Sequence, residues 1–557
     1  MRGAKAPGFV FAGLATALSA LLLAALSPSQ PPPPPIAEYA PEAVQAIKDA
    51  PDEQSAEHGL ALGDVGDRDA RDPEEEESEE LAGGGIPTTT TSTTLPPNSE
   101  RVRLCVGKPS RQTEDPQSPP CVPYFEGDNG GATARGVTQN EIKIGFPSRN
   151  HPKHFDQMLS YFNRRFELYG RQVRPVGGGC FGGTPQDAQN LARGMDTAEA
   201  FASSQYCDIL GTEAYYYEEL ARRGIVGVNG RPTTSTEADL AKFHPYWWTF
   251  VPTWDKGTRH LAELACSLRG QPARYAGPAY RSTTRKFGLL QNSFSDAPPP
   301  DYTAVKAALQ ACGIEYVAHT VQVARVSEGG QGVTAETAAQ VQNAVFDFQS
   351  KGVTSILVLT HTTTTKQLYA VNDAQGYQPE LLTSTYLYND EDAMSSYPAG
   401  QLAHTFGVTV RNMGMVQVED EFHWQAVNDS QPGQPWEYAP FTYTGARFDY
   451  GPMLMLFAGL QMAGPHLTAD SFAAGLLRAK WTNPPHRNMP GRVTIGPGTH
   501  SFMEDAAIIW WSPAYSSEDY GQQGGFCFFD GGRRWRLGQY PKADPGLFQG
   551  RCGRGLD

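Results

Sequence analysis

From Gly136 onward the chain alternates short apolar runs with longer stretches in which apolar positions recur every three or four residues. The short runs are Glu141-Ile-Lys-Ile-Gly145, Asp208-Ile-Leu-Gly211, Ile225-Val-Gly-Val228, Lys286-Phe-Gly-Leu-Leu290, Tyr316-Val-Ala-His-Thr-Val321, Ser355-Ile-Leu-Val-Leu359 and Leu381-Leu-Thr-Ser384, and each predicts a strand. Between them, residues 155–169, 185–202, 217–223, 257–268, 302–312, 335–351 and 365–375 carry helical spacing. Strand, helix, strand in repetition predicts an α/β protein with parallel sheets covered on both faces. Two such series, before and after about Trp254, predict two Rossmann-like lobes rather than one long sheet. Ligands of open parallel sheets sit at the carboxyl ends of the strands, so the loops that follow these strands are where function is to be sought.

The first hundred residues follow a different pattern. Arg2 and Lys5 precede an uncharged apolar stretch from Phe9 to Leu26, about 18 residues and near the minimum for a membrane span. Residues 1–27 therefore predict either a cleaved signal peptide or an uncleaved N-terminal anchor, with everything downstream exported. Residues 28–100 contain Pro31 to Pro35, the acidic run Glu74 to Glu80, Gly83 to Gly85 and a Thr-rich run from Thr88 to Thr94. Such a composition cannot bury enough apolar surface to offset ordering entropy, which predicts a disordered linker. The charge divides accordingly. The whole chain carries −15, and residues 28–100 hold 17 acidic side chains against three basic ones, leaving the body beyond them near −3. A near-neutral body argues against a nucleic-acid partner, which needs a basic excess.

All eight cysteines lie beyond the linker: Cys105, Cys121, Cys180, Cys207, Cys266, Cys312, Cys527 and Cys552. An even set behind an export signal reads as disulfides. They fall into four sequence-local pairs, 105 with 121, 180 with 207, 266 with 312 and 527 with 552, and local pairs close loops of modest length. A metal site is the rival reading, weakened because no C-x-x-C occurs.

Gly136-Val-Thr-Gln-Asn-Glu-Ile-Lys-Ile-Gly145, then a helix and Leu168-Tyr-Gly-Arg-Gln-Val173, resembles the opening of bacterial extracellular solute-binding proteins of the leucine/isoleucine/valine-binding type. Cys180 with Pro185-Gln-Asp-Ala188, Gly224-Ile-Val-Gly-Val-Asn-Gly230, Arg285-Lys-Phe-Gly-Leu-Leu290 and Gly352-Val-Thr-Ser-Ile-Leu-Val-Leu359 resemble later segments of that family in the same order. The resemblance implies the type I periplasmic-binding-protein fold, two lobes joined by three crossovers that close on a ligand. After a Cys-containing lead-in at 101–135, it places lobe one at about 136–252 and 390–495, and lobe two at about 253–389 and 496–557. It also implies a small-molecule ligand, an ABC-type permease as partner and amino-acid transport.

Carried over by position, lobe-one ligand groups fall on Thr212 and Glu213 after the second strand and on Asn229, Gly230 and Arg231 after the third. The sequence departs from the family here. Thr212-Glu-Ala-Tyr-Tyr-Tyr217 lacks a run of serines and threonines, and Arg231 stands where small residues are usual. Arg231 suits either a bidentate pair with a ligand carboxylate or a salt bridge within the lobe. Other strand ends contribute Ser148 and Arg149, then Gln291, Asn292 and Phe294, then Thr360 and His361, and finally Tyr386. Amides, hydroxyls and aromatic rings at such positions suit a small polar or zwitterionic ligand.

Nothing in the sequence marks a catalytic centre or calls for a cofactor. Gly177-Gly-Gly-Cys-Phe-Gly182 fits a phosphate-loop spacing but holds a cysteine of an expected disulfide, and His151 with His154 has no third metal ligand at usable spacing. No G-x-S-x-G or H-E-x-x-H occurs. The expectation is a non-catalytic, exported binding protein, membrane-anchored or secreted. The alternative is a ligand-sensing or envelope-interaction module of the same fold that passes nothing to a transporter.

Overall fold

The computed structural model describes residues 105–147, 152–179, 184–204, 212–230, 233–295, 298–323, 334–385, 389–411, 418–430, 440–486, 491–517, 521–549 and 552. The expected N-terminal segment at 1–27, the linker at 28–100, the strand at 208–211 and the Cys180/Cys207 pair lie outside the described residues.

The first sheet is fully parallel. Strands β1 (Glu141–Gly145), β2 (Gln172–Val176), β3 (Ala202–Ser204), β4 (Val226–Asn229) and β5 (Trp247–Thr249) stand in the order β2-β1-β3-β4-β5. Alternation in β1 turns Ile142 and Ile144 into the core. Helix α1 (Pro152–Arg165) lays Phe155, Met158, Leu159 and Phe162 on one buried stripe, the spacing of a helix packed on a sheet. Helices α2 (Pro185–Thr197) and α4 (Glu237–Lys242) start at capping boxes formed by Thr184 with Asp187 and by Thr236 with Asp239, and α3 (Glu213–Arg222) lies between them in the chain.

The second sheet joins five parallel strands to an antiparallel flank. Strands β6 (Phe287–Phe294), β7 (Tyr316–Val323), β8 (Ser355–Leu359), β9 (Glu380–Ser384) and β10 (Thr405–Thr409) run in the order β7-β6-β8-β9-β10. Strand β11 (Asp505–Ser517) then adds antiparallel to β10 and pairs with β12 (Gln522–Phe528) and β13 (Arg534–Arg536). Helix α5 (Trp254–Leu268) leads into β6, and helices α6 (Thr303–Ala311), α7 (Ala335–Ser350) and α8 (Thr362–Ala374) connect β6 to β7, β7 to β8 and β8 to β9. Ile356 and Val358 of β8 face one core and Leu357 and Leu359 the other, so the strand is buried on both sides, as parallel strands are.

The chain passes between the sheets three times: between Thr249 and Trp254, between Thr409 and Phe422, and between Ser501 and Asp505. The second passage comes later than the sequence suggests. The return to lobe one was expected at 390, but β10 pairs in parallel with β9, which keeps residues 405–409 in the second sheet. Its run is short and is interrupted by Gly407, whose missing side chain lets the Thr383 carbonyl approach, so periodicity alone does not single it out. Beyond it, a further helix (Phe422–Ser430, here α9) packs on α1. Helix α10 (Pro440–Ala463) covers β3, β4 and α1 and packs against α11 (Ala469–Arg478).

Three of the expected disulfides are formed: Cys105–Cys121, Cys266–Cys312 and Cys527–Cys552. The first staples the lead-in segment, which docks on lobe one. Gln112 donates to the Arg165 carbonyl, Gln117 to the Gly491 carbonyl, and the Tyr450 hydroxyl of α10 to Asp115 at 2.9 Å. Among the described residues no helix is long and apolar enough to cross a membrane.

Candidate functional site

In the second sheet β6, β8, β9 and β10 end side by side, and buried polar residues stand at or beside those ends: Asn292 two residues before the end of β6, Thr360 directly after β8, and Ser384 and Thr409 as the last residues of β9 and β10. Asn292 in β6 is the centre of this edge. Its Oδ1 accepts from the His361 amide at 2.6 Å, its Nδ2 donates to the Val321 carbonyl at 3.2 Å, and its backbone exchanges two hydrogen bonds with the Tyr302 hydroxyl. His361 caps α8, accepting from the Thr363 amide at 3.4 Å. Burial pushes its pKa down to about 4, so the imidazole is neutral at pH 7. Thr360 shares a hydrogen bond with Thr365 at 2.8 Å, and Asn389 Nδ2 donates to the Thr360 carbonyl at 2.5 Å. The start of α8, with the partial positive charge of a helix N-terminus, is thereby held at the strand ends.

The lobe-one edge is built around Glu213, the first residue of α3. Its Oε1 accepts from the Thr233 amide at 3.1 Å, the Thr234 amide at 2.7 Å and the Thr234 hydroxyl at 2.8 Å. This carboxylate therefore pins the loop that follows β4. Thr212 precedes it and is fully buried. Asn229 ends β4 with its carbonyl accepting from the Phe250 amide at 2.8 Å, and the half-buried Gly230 follows.

The structure thus gathers Asn292, Thr360 and His361 on one edge and Thr212, Glu213, Asn229 and Gly230 on the other. Gln291 faces away from Asn292 along the strand, donating to Thr320 at 2.9 Å, and Phe294 packs into the core. Ser148, Arg149, Arg231 and Tyr386 lie outside the described residues.

Sequence reasoning missed two charged groups of the same region. Arg411, just past β10, pairs with Glu391 at 2.7 Å and approaches Asp390 at 3.5 Å, while the Thr409 hydroxyl donates to Asp390 at 2.6 Å. The Arg411 guanidinium also lies 5.1 Å from the ring centroid of Phe448 on α10, a cation–π contact from the second sheet's edge to a lobe-one helix. The signal available was a charged residue directly after an apolar run, usable only once β10 is known to be a strand. The second group bridges the first and third crossings. Glu237 of α4 accepts from Lys256 of α5 at 2.5 Å and pairs with His500 at 2.6 Å; His500 in turn lies 3.1 Å from His244, and Lys256 also pairs with Glu504. Charge pairing holds Glu237 below the usual carboxylate range and raises Lys256, despite the opposing effect of burial on each.

Among the described residues no three His, Cys, Asp or Glu side chains converge as metal ligands would. The edges present buried hydrogen-bonding groups and, at the start of α8, a helix N-terminus.

No family model matches the chain, and no curated protein matches it. Solved structures do. A Pseudomonas fluorescens group protein described as an ABC transporter permease aligns over 70% of this chain and 92% of its own at 12% identity, with a TM-score of 0.51. A substrate-binding protein of an ABC transporter from Aeropyrum pernix aligns over 70% and 96% at 13% identity, with a TM-score of 0.49. A possible leucine/isoleucine/valine-binding protein from Rhodopirellula baltica SH 1 aligns over 67% and 94% at 11% identity, with a TM-score of 0.45. At 12% identity and a TM-score of 0.51, the likeness to the Pseudomonas fluorescens group protein is one of fold. Together with the two parallel sheets and three crossings, the chain has the type I periplasmic-binding-protein fold that its sequence resemblance implied.

Proposed function

We propose that this protein is an extracytoplasmic solute-binding protein that captures a small polar ligand, such as an amino acid, an amide or a short peptide-like molecule, between its two lobes and presents it to an ABC-type permease. The observation that carries the reading is the pair of parallel sheets whose polar strand ends are joined through three crossing segments. Such an architecture supports hinge closure around a ligand, and open parallel sheets bind at their strand ends. The N-terminus of α8 beside Asn292 and Thr360 favours a carboxylate or another acceptor on the ligand. The apolar stretch from Phe9 to Leu26 and the acidic, Pro-rich linker fit a body exported and held near the outer face of the membrane. The reading is of binding rather than catalysis, and the site needs no cofactor.

The test is a thermal-shift screen of the purified protein against amino acids, amides, short peptides, sugars and carboxylic acids, followed by small-angle scattering with each stabilising compound. One class should raise the melting temperature and reduce the radius of gyration. Absence of any stabilising compound across the panel, or stabilisation with no compaction, counts against capture between lobes.

A further inference from the structure

The first and third crossings run side by side as a two-stranded ribbon. Thr249 and Ser501 form a parallel bridge, the Thr249 amide donates to the His500 carbonyl at 2.9 Å and the Phe502 amide to the Thr249 carbonyl at 2.8 Å, and the rings of Phe250 and Phe502 stack with centroids 5.6 Å apart. Both strands of the ribbon pass from one sheet to the other, so a change in the angle between the lobes has to bend it.

A line of charged and titrating side chains closes over this ribbon. Lys256, in the first turn of α5, reaches Glu504 in the third crossing and, at 2.5 Å, Glu237, the first residue of α4 in lobe one. Glu237 meets His500 at 2.6 Å, and His500 meets His244, just before β5, at 3.1 Å. Asp255 holds the start of α4, accepting from the Glu237 amide at 3.0 Å. The other neighbours of the two imidazoles are Trp248, whose ring lies 5.0 Å from that of His500 and 5.6 Å from that of His244, and Asp470 of α11, whose charge acts on His244. Beyond Lys256, His260 of α5 contacts the Glu504 carbonyl at 3.0 Å.

Hydrogen-bond chemistry limits how many protons this line can hold. Glu237 requires a hydrogen on His500 Nδ1, and the contact between His500 Nε2 and His244 Nδ1 requires one hydrogen between the two nitrogens. Two neutral imidazoles meet both demands with His244 as donor. One added proton also meets them, with a charged His500 donating to a neutral His244. A second added proton puts a hydrogen on both facing nitrogens and a positive charge on both rings, so the rings must part.

We propose that this line is an acid-released hinge clamp, which fixes the ribbon while the two imidazoles share at most one added proton and lets go of His500, loosening the joint between the lobes, when both are charged. The inference goes beyond the solute-binding reading and does not depend on it. Burial and the neighbouring His500 hold His244 below the ordinary histidine value of 6.5, against the pull of Asp470, so the second proton arrives on the acid side of that value. A histidine lowered in this way contributes in full above 6.5 and loses its contribution as pH falls through its folded value. Burial lowers His260 to about 3, so it stays neutral over the same range.

The test is hydrogen exchange read by mass spectrometry on the whole, ligand-free protein at about pH 7.5 and about pH 5, corrected for the intrinsic pH dependence of exchange. The ribbon segments 249–254 and 500–505 are expected to lose protection by about tenfold at the lower pH, reversibly, while β6 and β8 keep theirs. His244→Gln leaves a hydrogen-bonding amide beside His500 but cannot take the second charge, and its ribbon should hold protection at the lower pH to within about twofold. The wild-type comparison needs no variant to fold. Ribbon protection that is unchanged by acid in the wild type, that falls only together with the protection of β6 and β8, or that falls as far in His244→Gln, overturns the clamp and leaves solute binding standing. Loss confined to the ribbon and abolished by His244→Gln sustains the clamp, whether or not any solute is found to bind.

Discussion

Individual titrating groups have environments that sequence could not disclose, and they set a pH dependence with opposing parts. Burial of Asp115 raises its carboxyl to about 6, against the favourable hydrogen bonds from Gln117 and Tyr450. An acid whose folded pKa lies above its unfolded value of 3.8 penalises folding above pH 6, and the penalty disappears as pH falls below 4. His260 and His361 act in the other direction. Burial lowers them to about 3 and about 4, so their contribution is whole above the unfolded value of 6.5 and is lost on acidification below it. Asp115→Asn is therefore expected to be more stable than the wild type by about 1–3 kcal/mol at pH 7.5, with the gap closing by pH 4. Urea unfolding at the two pH values measures it, and an equal gap at both would refute the assignment. Of the site residues, sequence named Asn292, Thr360 and His361 because they follow apolar strands. It could not see Arg411 or His500, whose importance lies in partners distant along the chain.

Secondary-structure elements are tied together by a few buried contacts. Arg285, just before β6, makes two parallel hydrogen bonds to Glu380 of β9 at 2.7 and 2.8 Å, and Ser355 of β8 donates to the same carboxylate at 2.6 Å. Both charged groups are fully buried, and removing Arg285 leaves the Glu380 carboxylate without a charged partner, whereas Arg285 also reaches Asp544 at 3.1 Å. Arg285→Met should cost about 3–5 kcal/mol, and adding Glu380→Leu should recover a large part of it. A double-mutant cycle by urea unfolding checks this, and simple additivity of the two losses would show that the pair is not the unit. Strand β10 depends on a different contact. A methyl group at Gly407 would overlap the Thr383 backbone in β9, so Gly407→Ala should lower stability by about 3 kcal/mol or more. Melting curves that leave this variant within a degree of the wild type would contradict the pairing. The parallel core strands were legible as apolar runs. Strand β2, the three-residue strands β3 and β5, and the Gly-interrupted β10 were not, because their strand character comes from pairing with neighbours rather than from their own composition.

For the whole molecule, covalent staples and crossing segments set what moves together. Cys266 near the end of α5 is bonded to Cys312 at the end of α6, closing a loop with a sequence separation of 46. Chain entropy gives this cross-link a stabilisation of up to about 4 kcal/mol, so the double change Cys266→Ser with Cys312→Ser should reduce thermal stability without altering the fold seen by circular dichroism. An unchanged melting temperature would show that α5–α6 packing suffices alone. The sequence by itself determined the class of the protein. Alternating apolar runs and helical stripes specify parallel sheets in two series, an even set of sequence-local cysteines points to disulfides, three of which are formed, and charge counting assigns nearly all of the −15 to residues 28–100 rather than to the body. These are properties of neighbours along the chain. The tertiary structure decided the rest: that the chain stays in the second sheet through β10, that Arg411 reaches Phe448 across a crossing, and that His500 meets Glu237 and His244. Each of these depends on which groups pack together once the chain has folded, and the free energy of a buried charge is set by those surroundings rather than by its place in the chain.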